Sequence, residues 1–362
     1  MKMILIRTAA AILAAVLLYP CNTLAVSAEK AVVMDAATGR LLYEKSADKQ
    51  SLIASTTKIM TALIVCEQCN VLDRMRIPKE AVGIEGSSMY LREGEVLTLQ
   101  ELLYGMMLSS GNDAATALAI YCGGTVEGFA ELMNDKAHML GLCGTHFVNP
   151  HGLDAPEHYS TARDLAALAA YAMKNPVFAQ TVSTKSVTIG NRSMSNHNKL
   201  LWQMKDVDGV KTGYTRAAGR ILVSSAVRNG RRLICVTIND GNDWVDHKNL
   251  LEDGFTRYHV APIVEAGQTV GTVSVFGGMQ ETVDVIAREN FSYALANDET
   301  IHFVLSCKDM AYAPVVAGAS AGYAYICIDG KAVGKVAVTF AETVEQLPTK
   351  KKSFWQRLFG GP

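Results

Sequence analysis

The sequence predicts an α+β (α/β) domain, with a helical block set between strands of one sheet, followed by a small all-β domain. Three observations carry this. Segments of strand character at Ala31 to Asp35 and Leu41 to Lys45, and again from Ser186 onward, bracket a long stretch of helical periodicity. Beyond Val260 short strands and Gly turns replace helices. The 362 residues also exceed one typical core, so two domains are expected.

Ala31 to Asp35 and Leu41 to Lys45 form a hairpin around Ala37-Thr38-Gly39. From Ser55 the apolar residues Ile59, Met60, Leu63 and Ile64 recur at helical spacing, which places Ser55 near a helix N-terminus. Thr98 to Glu101 has capping-box spacing before Leu102, Leu103, Met106 and Met107, and this helix ends at Ser109-Ser110-Gly111-Asn112. A second helix, Asp113 to Tyr121, follows directly, and Thr161 to Asp164 caps a further one that ends near Lys174. After Asn175-Pro176 strands are expected: Ser186 to Ile189, Gly209 to Gly213, and Arg220 to Val227 joined to Arg232 to Ile238 through Asn229-Gly230. Asp243 to Gly254 returns to helix. Strands at Thr269 to Phe276, Thr282 to Ile286, Thr300 to Ser306 and Ala332 to Phe340 build the second domain. The resulting division is a leader at 1–28, a first domain at 29–257, a β domain at 258–347 and a tail at 348–362.

Composition narrows the function. Apolar residues make up 49% of the chain, enough to bury substantial cores. Lys plus Arg numbers 34 against 35 for Asp plus Glu, so no global field favours a polyanion and nucleic acid is not an expected partner. Lys2 and Arg7, the apolar run Ala9 to Leu18, and Val26-Ser27-Ala28 have the layout of an export signal, with cleavage expected after Ala28. The apolar run is short for a span, and the bulky Tyr19 and rigid Pro20 before Cys21 argue against lipidation there. Cleavage leaves seven cysteines, an odd number, and Cys66-Glu67-Gln68-Cys69 has no second C-x-x-C, so mostly buried free thiols are expected.

Amide hydrolysis by a serine needs a base, and a lysine three residues later on a helix lies on the same face. S-x-x-K occurs at Ser27, Ser46 and Ser55, but Ser27 lies at the cleavage point and Ser46 in a polar loop. Ser55-Thr56-Thr57-Lys58 alone opens an apolar helix. Ser110-Gly111-Asn112 and Lys211-Thr212-Gly213 follow, each once and in that order. S-x-x-K, S-x-N and K-T-G together are the set shared by penicillin-binding proteins and serine β-lactamases.

From Glu29 to about Pro348 the chain resembles the low-molecular-mass penicillin-binding proteins, the D-alanyl-D-alanine carboxypeptidases. Asn149 to Leu153, His158 to Asp164, and Tyr214-Thr215 with Ala218-Gly219 extend the likeness. The resemblance implies a serine β-lactamase/transpeptidase-like catalytic domain and a serine carboxypeptidase that takes the terminal D-alanine from peptidoglycan stem peptides. It implies acylation by β-lactams and needs no cofactor. Ser55 would be the nucleophile, Lys58 its base and Ser110 the proton relay, while Asn112 would hold Lys58 and the substrate amide. Lys58 must be neutral to act, and burial beside Lys211 pushes it that way. Lys211 and Thr212 would bind the terminal carboxylate on an edge strand where Gly213 leaves room, and the N–H groups of Ser55 and Tyr214 would form the oxyanion hole.

One departure stands out. Some relatives carry an arginine downstream of K-T-G that grips the carboxylate, yet 239–249 contains none, leaving His247 or Arg216 as substitutes. His146, His151 and His158 lie near Cys143 but match no zinc spacing, so hydrogen bonding is their expected role. Lys350 to Lys352 and Arg357 surround Phe354, Trp355, Leu358 and Phe359, which resembles an interfacial membrane anchor on the outer face of the membrane. A β-lactamase is the alternative, disfavoured because no E-x-x-L-N occurs and Glu157 leads into His158-Tyr159-Ser160. A non-catalytic penicillin- or wall-binding protein is the other, and it would not need Ser55, Lys58 and Ser110 together.

Overall fold

The computed structural model describes residues 25–307 and 310–348. The apolar leader run and the basic aromatic tail therefore lie outside the described residues. The chain divides into two compact units at Gly254/Phe255.

The first unit is built on a five-stranded antiparallel sheet. Its strands are β1 (Lys30–Asp35), β2 (Leu41–Lys45), β7 (Val207–Thr215), β8 (Gly219–Arg228) and β9 (Arg231–Ile238), in the order β2-β1-β9-β8-β7. Two small ribbons, β3 (Arg74–Arg76) with β4 (Val96–Thr98) and β5 (Ser186–Ile189) with β6 (Arg192–Ser195), lie between β2 and β7 in sequence. Strand β1 is buried along its whole length because both faces of the sheet are covered. Val32 and Met34 point into the helical core with Ile234 and Val236 of β9. Val33 and Leu233 point the other way, where Gly254 leaves no space for a Cβ against them: it would stand 2.9 Å from Leu233 Cδ1.

The helical block comprises α1 (Lys58–Gln68), α2 (Leu99–Leu108), α3 (Asn112–Gly123), α4 (Val126–Met139), α5 (Ala162–Ala172), α6 (Pro176–Ser183) and α7 (Leu200–Gln203). Helix α1 is buried all round from Lys58 to Val65, as a helix at the centre of a domain must be. The expected capping box at the start of α2 is complete: Thr98 Oγ1 accepts from Glu101 N–H, and the Glu101 carboxylate accepts from Thr98 N–H. Helix α8 (Asp243–Arg257) leads out of this unit.

One helix adds to the expected elements and one expectation needs correction. Between Asn175 and the expected strand at Ser186 the chain forms α6, because the Asn175 side chain caps Val177 and Phe178 N–H and Pro176 takes the first helical position, where it loses no bond. The cysteines are not all free thiols. Cys69, just past α1, and Cys122, in the last turn of α3, form a disulfide with a Cα separation of 6.8 Å, because α1 and α3 pack together and bring their C-terminal ends side by side. Of the free thiols, Cys235 and Cys327 are buried, Cys66 and Cys307 half-buried and Cys143 exposed.

The second unit is all β: β10 (Tyr258–Val264), β11 (Thr269–Phe276), β12 (Thr282–Ala287), β13 (Phe291–Ala296), β14 (Ile301–Cys307), β15 (Met310–Tyr312), β16 (Ser320–Ile328) and β17 (Lys331–Phe340). β10 and β13 pair as a ribbon, and the others form a sheet ordered β14-β16-β17-β12-β11-β15 around Val283, Val285, Ala324, Ile326, Val336 and Val338.

Candidate active site

The chain reaches the site through a tight turn. Residues Ala54–Thr57 form a 3₁₀ segment that runs into α1. In a 3₁₀ turn side chains three residues apart eclipse, so Ser55 and Lys58 are brought together, with Lys58 Nζ 2.9 Å from Ser55 Oγ. Ala54 has φ +44°, a left-handed conformation unusual for alanine, and two glycines make room for it. A Cβ on Gly152 would lie 1.9 Å from Ala54 O, and one on Gly213 would lie 3.2 Å from both Ile53 O and Ser55 N.

Lys58 is fully buried, and its amine has two further neighbours: it donates to Asn112 Oδ1 at 2.7 Å and to the His151 carbonyl at 2.6 Å. A neutral amine has two N–H groups and one lone pair. The two carbonyl oxygens take the hydrogens, which leaves the lone pair for the Ser55 hydroxyl. Burial pushes the Lys58 pKa well below the usual lysine range, the charge of Lys211 adds to this, and Asp113 opposes it.

Ser110 stands on the connection between α2 and α3, and Asn112 opens α3. Ser110 holds φ +60°, and its hydroxyl accepts from Lys211 Nζ at 3.0 Å. Gly111 separates them because a Cβ there would sit 2.8 Å from Asp113 Oδ1 and 3.2 Å from Met89 N. Asp113 binds a second loop to this connection, accepting from Ser88 Oγ, Met89 N–H and Leu91 N–H. The Asn112 amide is held at both ends, by Lys58 at Oδ1 and by donation from Nδ2 to Glu85 O.

Edge strand β7 carries Lys211-Thr212-Gly213-Tyr214, with Thr212 opposite Leu222 and Tyr214 opposite Arg220 of β8. Lys211 is buried, which lowers its pKa to about 7, and it also donates to Thr212 O. These elements surround a cavity of about 440 Å³ lined by Ser55, Ser87, Ser110, His197, Thr212, Gly213, Tyr214, Arg220, Ile221, Asp243 and Trp244. Lys58, Asn112 and Lys211 stand behind that wall.

A family model described as D-alanyl-D-alanine carboxypeptidase matches residues 19–242, and one described as penicillin-binding protein 5, C-terminal domain, matches residues 258–346. The chain belongs to the D-alanyl-D-alanine carboxypeptidase family. It is 32% identical to D-alanyl-D-alanine carboxypeptidase DacF of Bacillus subtilis over 90% of this chain and 88% of that one. It is 35% identical to DacD of Escherichia coli over 79% of each. Penicillin-binding protein 5 of Haemophilus influenzae superposes with a TM-score of 0.74 at 30% identity, covering 89% of this chain and 98% of that structure. The resemblance read from Glu29 to about Pro348 is thus matched in both units.

Within this family member the two suggested stand-ins for the missing arginine do not reach the cavity. His247 is fully buried in the first unit, between Ser224 Oγ at 2.6 Å and Thr237 Oγ1 at 3.0 Å, and burial lowers its pKa to about 3. It is a structural histidine, neither ligand nor surface group. Arg216 is exposed and does not line the cavity. Arg220, not among the residues expected from the sequence, does line it. Its Nε donates to Asp243 Oδ2 at 3.1 Å and its Nη2 to Asp243 Oδ1, and its guanidinium lies 5.8 Å from the centre of the Trp244 ring. The antiparallel pairing of β8 with the K-T-G strand was the signal that could have found it.

The three clustered histidines are hydrogen-bonded. His158 Nδ1 accepts from Val148 N–H, so Nε2 carries the proton and donates to Thr57 Oγ1 at 2.8 Å. His151 Nδ1 accepts from Leu153 N–H, and His146 Nδ1 lies 2.6 Å from Glu157 O.

Proposed function

We propose that this protein is a serine-type D-Ala-D-Ala carboxypeptidase that cleaves the terminal D-alanine from peptidoglycan stem peptides through an acyl-enzyme on Ser55, and that penicillins acylate the same oxygen. The observation that carries this reading is the Lys58 amine, buried, flanked by two carbonyl acceptors and in contact with Ser55 Oγ. Lys58 takes the Ser55 proton as Oγ attacks the carbonyl carbon of the last peptide bond. The oxyanion forms against the N–H groups of Ser55 and Tyr214, where one donor is worth roughly 3 kcal/mol. The Ser110 hydroxyl, backed by Lys211, relays a proton to the leaving D-alanine nitrogen and regains one from the Lys58 ammonium, so Lys58 is neutral again and Ser110 intact before deacylation. Water then attacks the ester, returning the proton to Ser55 and releasing the shortened peptide as its carboxylate.

Thr212 and Arg220 are our assignment for the substrate carboxylate. Asp243 holds one edge of the guanidinium, leaving Nη1 without a partner among the described residues, on a residue that stands opposite Tyr214 and lines the same cavity as Thr212. A guanidinium gripped on one edge presents its other edge with little entropy left to lose. A single assay tests both parts. Diacetyl-L-Lys-D-Ala-D-Ala and labelled penicillin are given to wild type, Ser55→Ala and Arg220→Gln. Ser55→Ala should release no D-alanine and take no label; residual labelling would end the proposal. Arg220→Gln should raise KM for the peptide roughly tenfold or more with kcat less affected, as expected when a charged hydrogen bond common to ground and transition states is lost; an unchanged KM would remove Arg220 from the grip.

The Cys69–Cys122 disulfide fits an exported protein, since such bonds persist outside the reducing cytosol. Among the described residues no helix is long and apolar enough to cross a membrane. We place the protein on the outer face of the cytoplasmic membrane, held there by the tail that carries Trp355 and Phe359. Truncation after Leu347 should move it from the membrane to the soluble fraction, and unchanged partitioning would refute the anchor.

A further inference from the structure

The residues just before β1 are bound to the first unit by contacts that the mechanism does not use. Ser27 N–H donates to Asp246 Oδ2 at 2.6 Å, and the Ser27 hydroxyl lies 2.6 Å from Asp240 Oδ1 and 2.8 Å from Asp246 Oδ2. Lys45 Nζ donates to Val26 O at 3.0 Å, and Ala28 is completely buried. Asp240 and Asp246 are only 1% and 4% exposed, so their carboxylates depend on protein donors. Besides Ser27, the one donor described for the pair is Asn242 N–H, and Asp240 Oδ2 is buried with no partner among the described residues. A chain starting at Glu29 would strip two of three donors from a carboxylate pair that already lacks one.

These acids sit at the start of α8, whose first turn also holds Asp243 and Trp244 in the cavity wall. Asp240 N–H donates to Arg220 O at 3.0 Å, and Asp243 grips the Arg220 side chain. Ser27 therefore holds the loop that holds both ends of Arg220. We propose that the leader is cleaved after Ala25, not Ala28, and that the retained Val26-Ser27-Ala28 forms a clasp positioning the α8 first turn at the mouth of the active site. Thr23-Leu24-Ala25 offers a small residue at each of the two positions that a signal peptidase reads. Cleavage there also creates an α-ammonium one residue from the two carboxylates, which favours their charge.

The effect on KM rests on the carboxypeptidase reading, whereas the position of the N-terminus does not, so the two can fail separately. The intact mass of the exported protein should correspond to a chain beginning at Val26; a start at Ala28 or Glu29 overturns the proposal. A chain made to begin at Glu29 by cutting a fusion should show a Tm lower by roughly 4 to 8 °C. Its KM for the diacetyl tripeptide should rise several-fold with kcat nearly kept. Identical Tm and KM would overturn the clasp. Asp246→Asn in the shortened chain should regain part of the lost Tm, since an amide supplies a donor to Asp240 in place of Ser27; a further fall in Tm would contradict that cause.

Discussion

Replacing Lys58 with Met should slow acylation of Ser55 by labelled penicillin by about 10³-fold or more, the range for loss of a general base. The fold should survive. The variant removes a buried amine whose hydration was already lost on folding, and the cost is two carbonyl acceptors, Asn112 Oδ1 and His151 O, left without a donor. Circular dichroism and Tm then separate lost chemistry from lost structure, and acylation above a tenth of the wild-type rate would remove Lys58 from the role of base. The pH profile carries a second test. Lys58 works only when neutral, and its pKa is lowered in the folded protein by burial first and the Lys211 charge second. Acylation is therefore fully present above that lowered pKa and is lost as pH falls through it. Lys211→Met takes away the second cause, so the acid limb should move to higher pH; a limb that stays in place would mean another group sets it.

Much of the candidate site was legible in the sequence, because its geometry is local. Ser55 and Lys58 meet within one turn, Ser110 and Asn112 lie where α2 gives way to α3, and Lys211 to Tyr214 lie on one strand. What remained hidden depends on distant pairing. Arg220 joins the site through its register with Tyr214, and Asp243 and Trp244 arrive from α8. The His151 carbonyl that holds Lys58 is a backbone atom, silent in any motif. In the fold, strands β1, β2, β5, β7 to β9, β11, β12, β14 and β17 and helices α1 to α3, α5 and α8 are readable from apolar period and turn signals, whereas β3, β4, β6, β10, β13, β15 and β16 are not among the expected elements. Helix α4 has a signal in Thr125, which caps it, and α6 has one in the helix-starting pair Asn175-Pro176, yet neither helix is among the expected elements. The disulfide was inaccessible, since Cys69 and Cys122 are 53 residues apart and only helix packing joins them.

Gly152→Ala should be the most damaging single-methyl change near the site. The added Cβ would stand 1.9 Å from Ala54 O, 2.4 Å from Ala54 C and 2.8 Å from Thr57 Oγ1, and φ +87° is itself costly for alanine. Both neighbours on the other side are committed: Asn149 Oδ1 accepts from Gly152 N–H at 2.7 Å, and the preceding His151 carbonyl holds Lys58. The strain must be relieved by moving either Ala54, which precedes Ser55, or His151, whose carbonyl accepts from Lys58. A displacement near 1 Å in such a group costs roughly 10²-fold in rate, and strain plus collision should lower stability by about 2–4 kcal/mol. Gly141→Ala supplies the control. That glycine has φ +70° but nothing within 4 Å of the added Cβ, so it bears the conformational cost, about 1 kcal/mol, without the collision. Penicillin acylation measured on both variants decides the matter: Gly141→Ala should acylate like wild type and Gly152→Ala at least 100 times more slowly. Equal rates would show that the glycine before Leu153 serves only the turn, and that the position of Ala54 is not what brings Ser55 to Lys58.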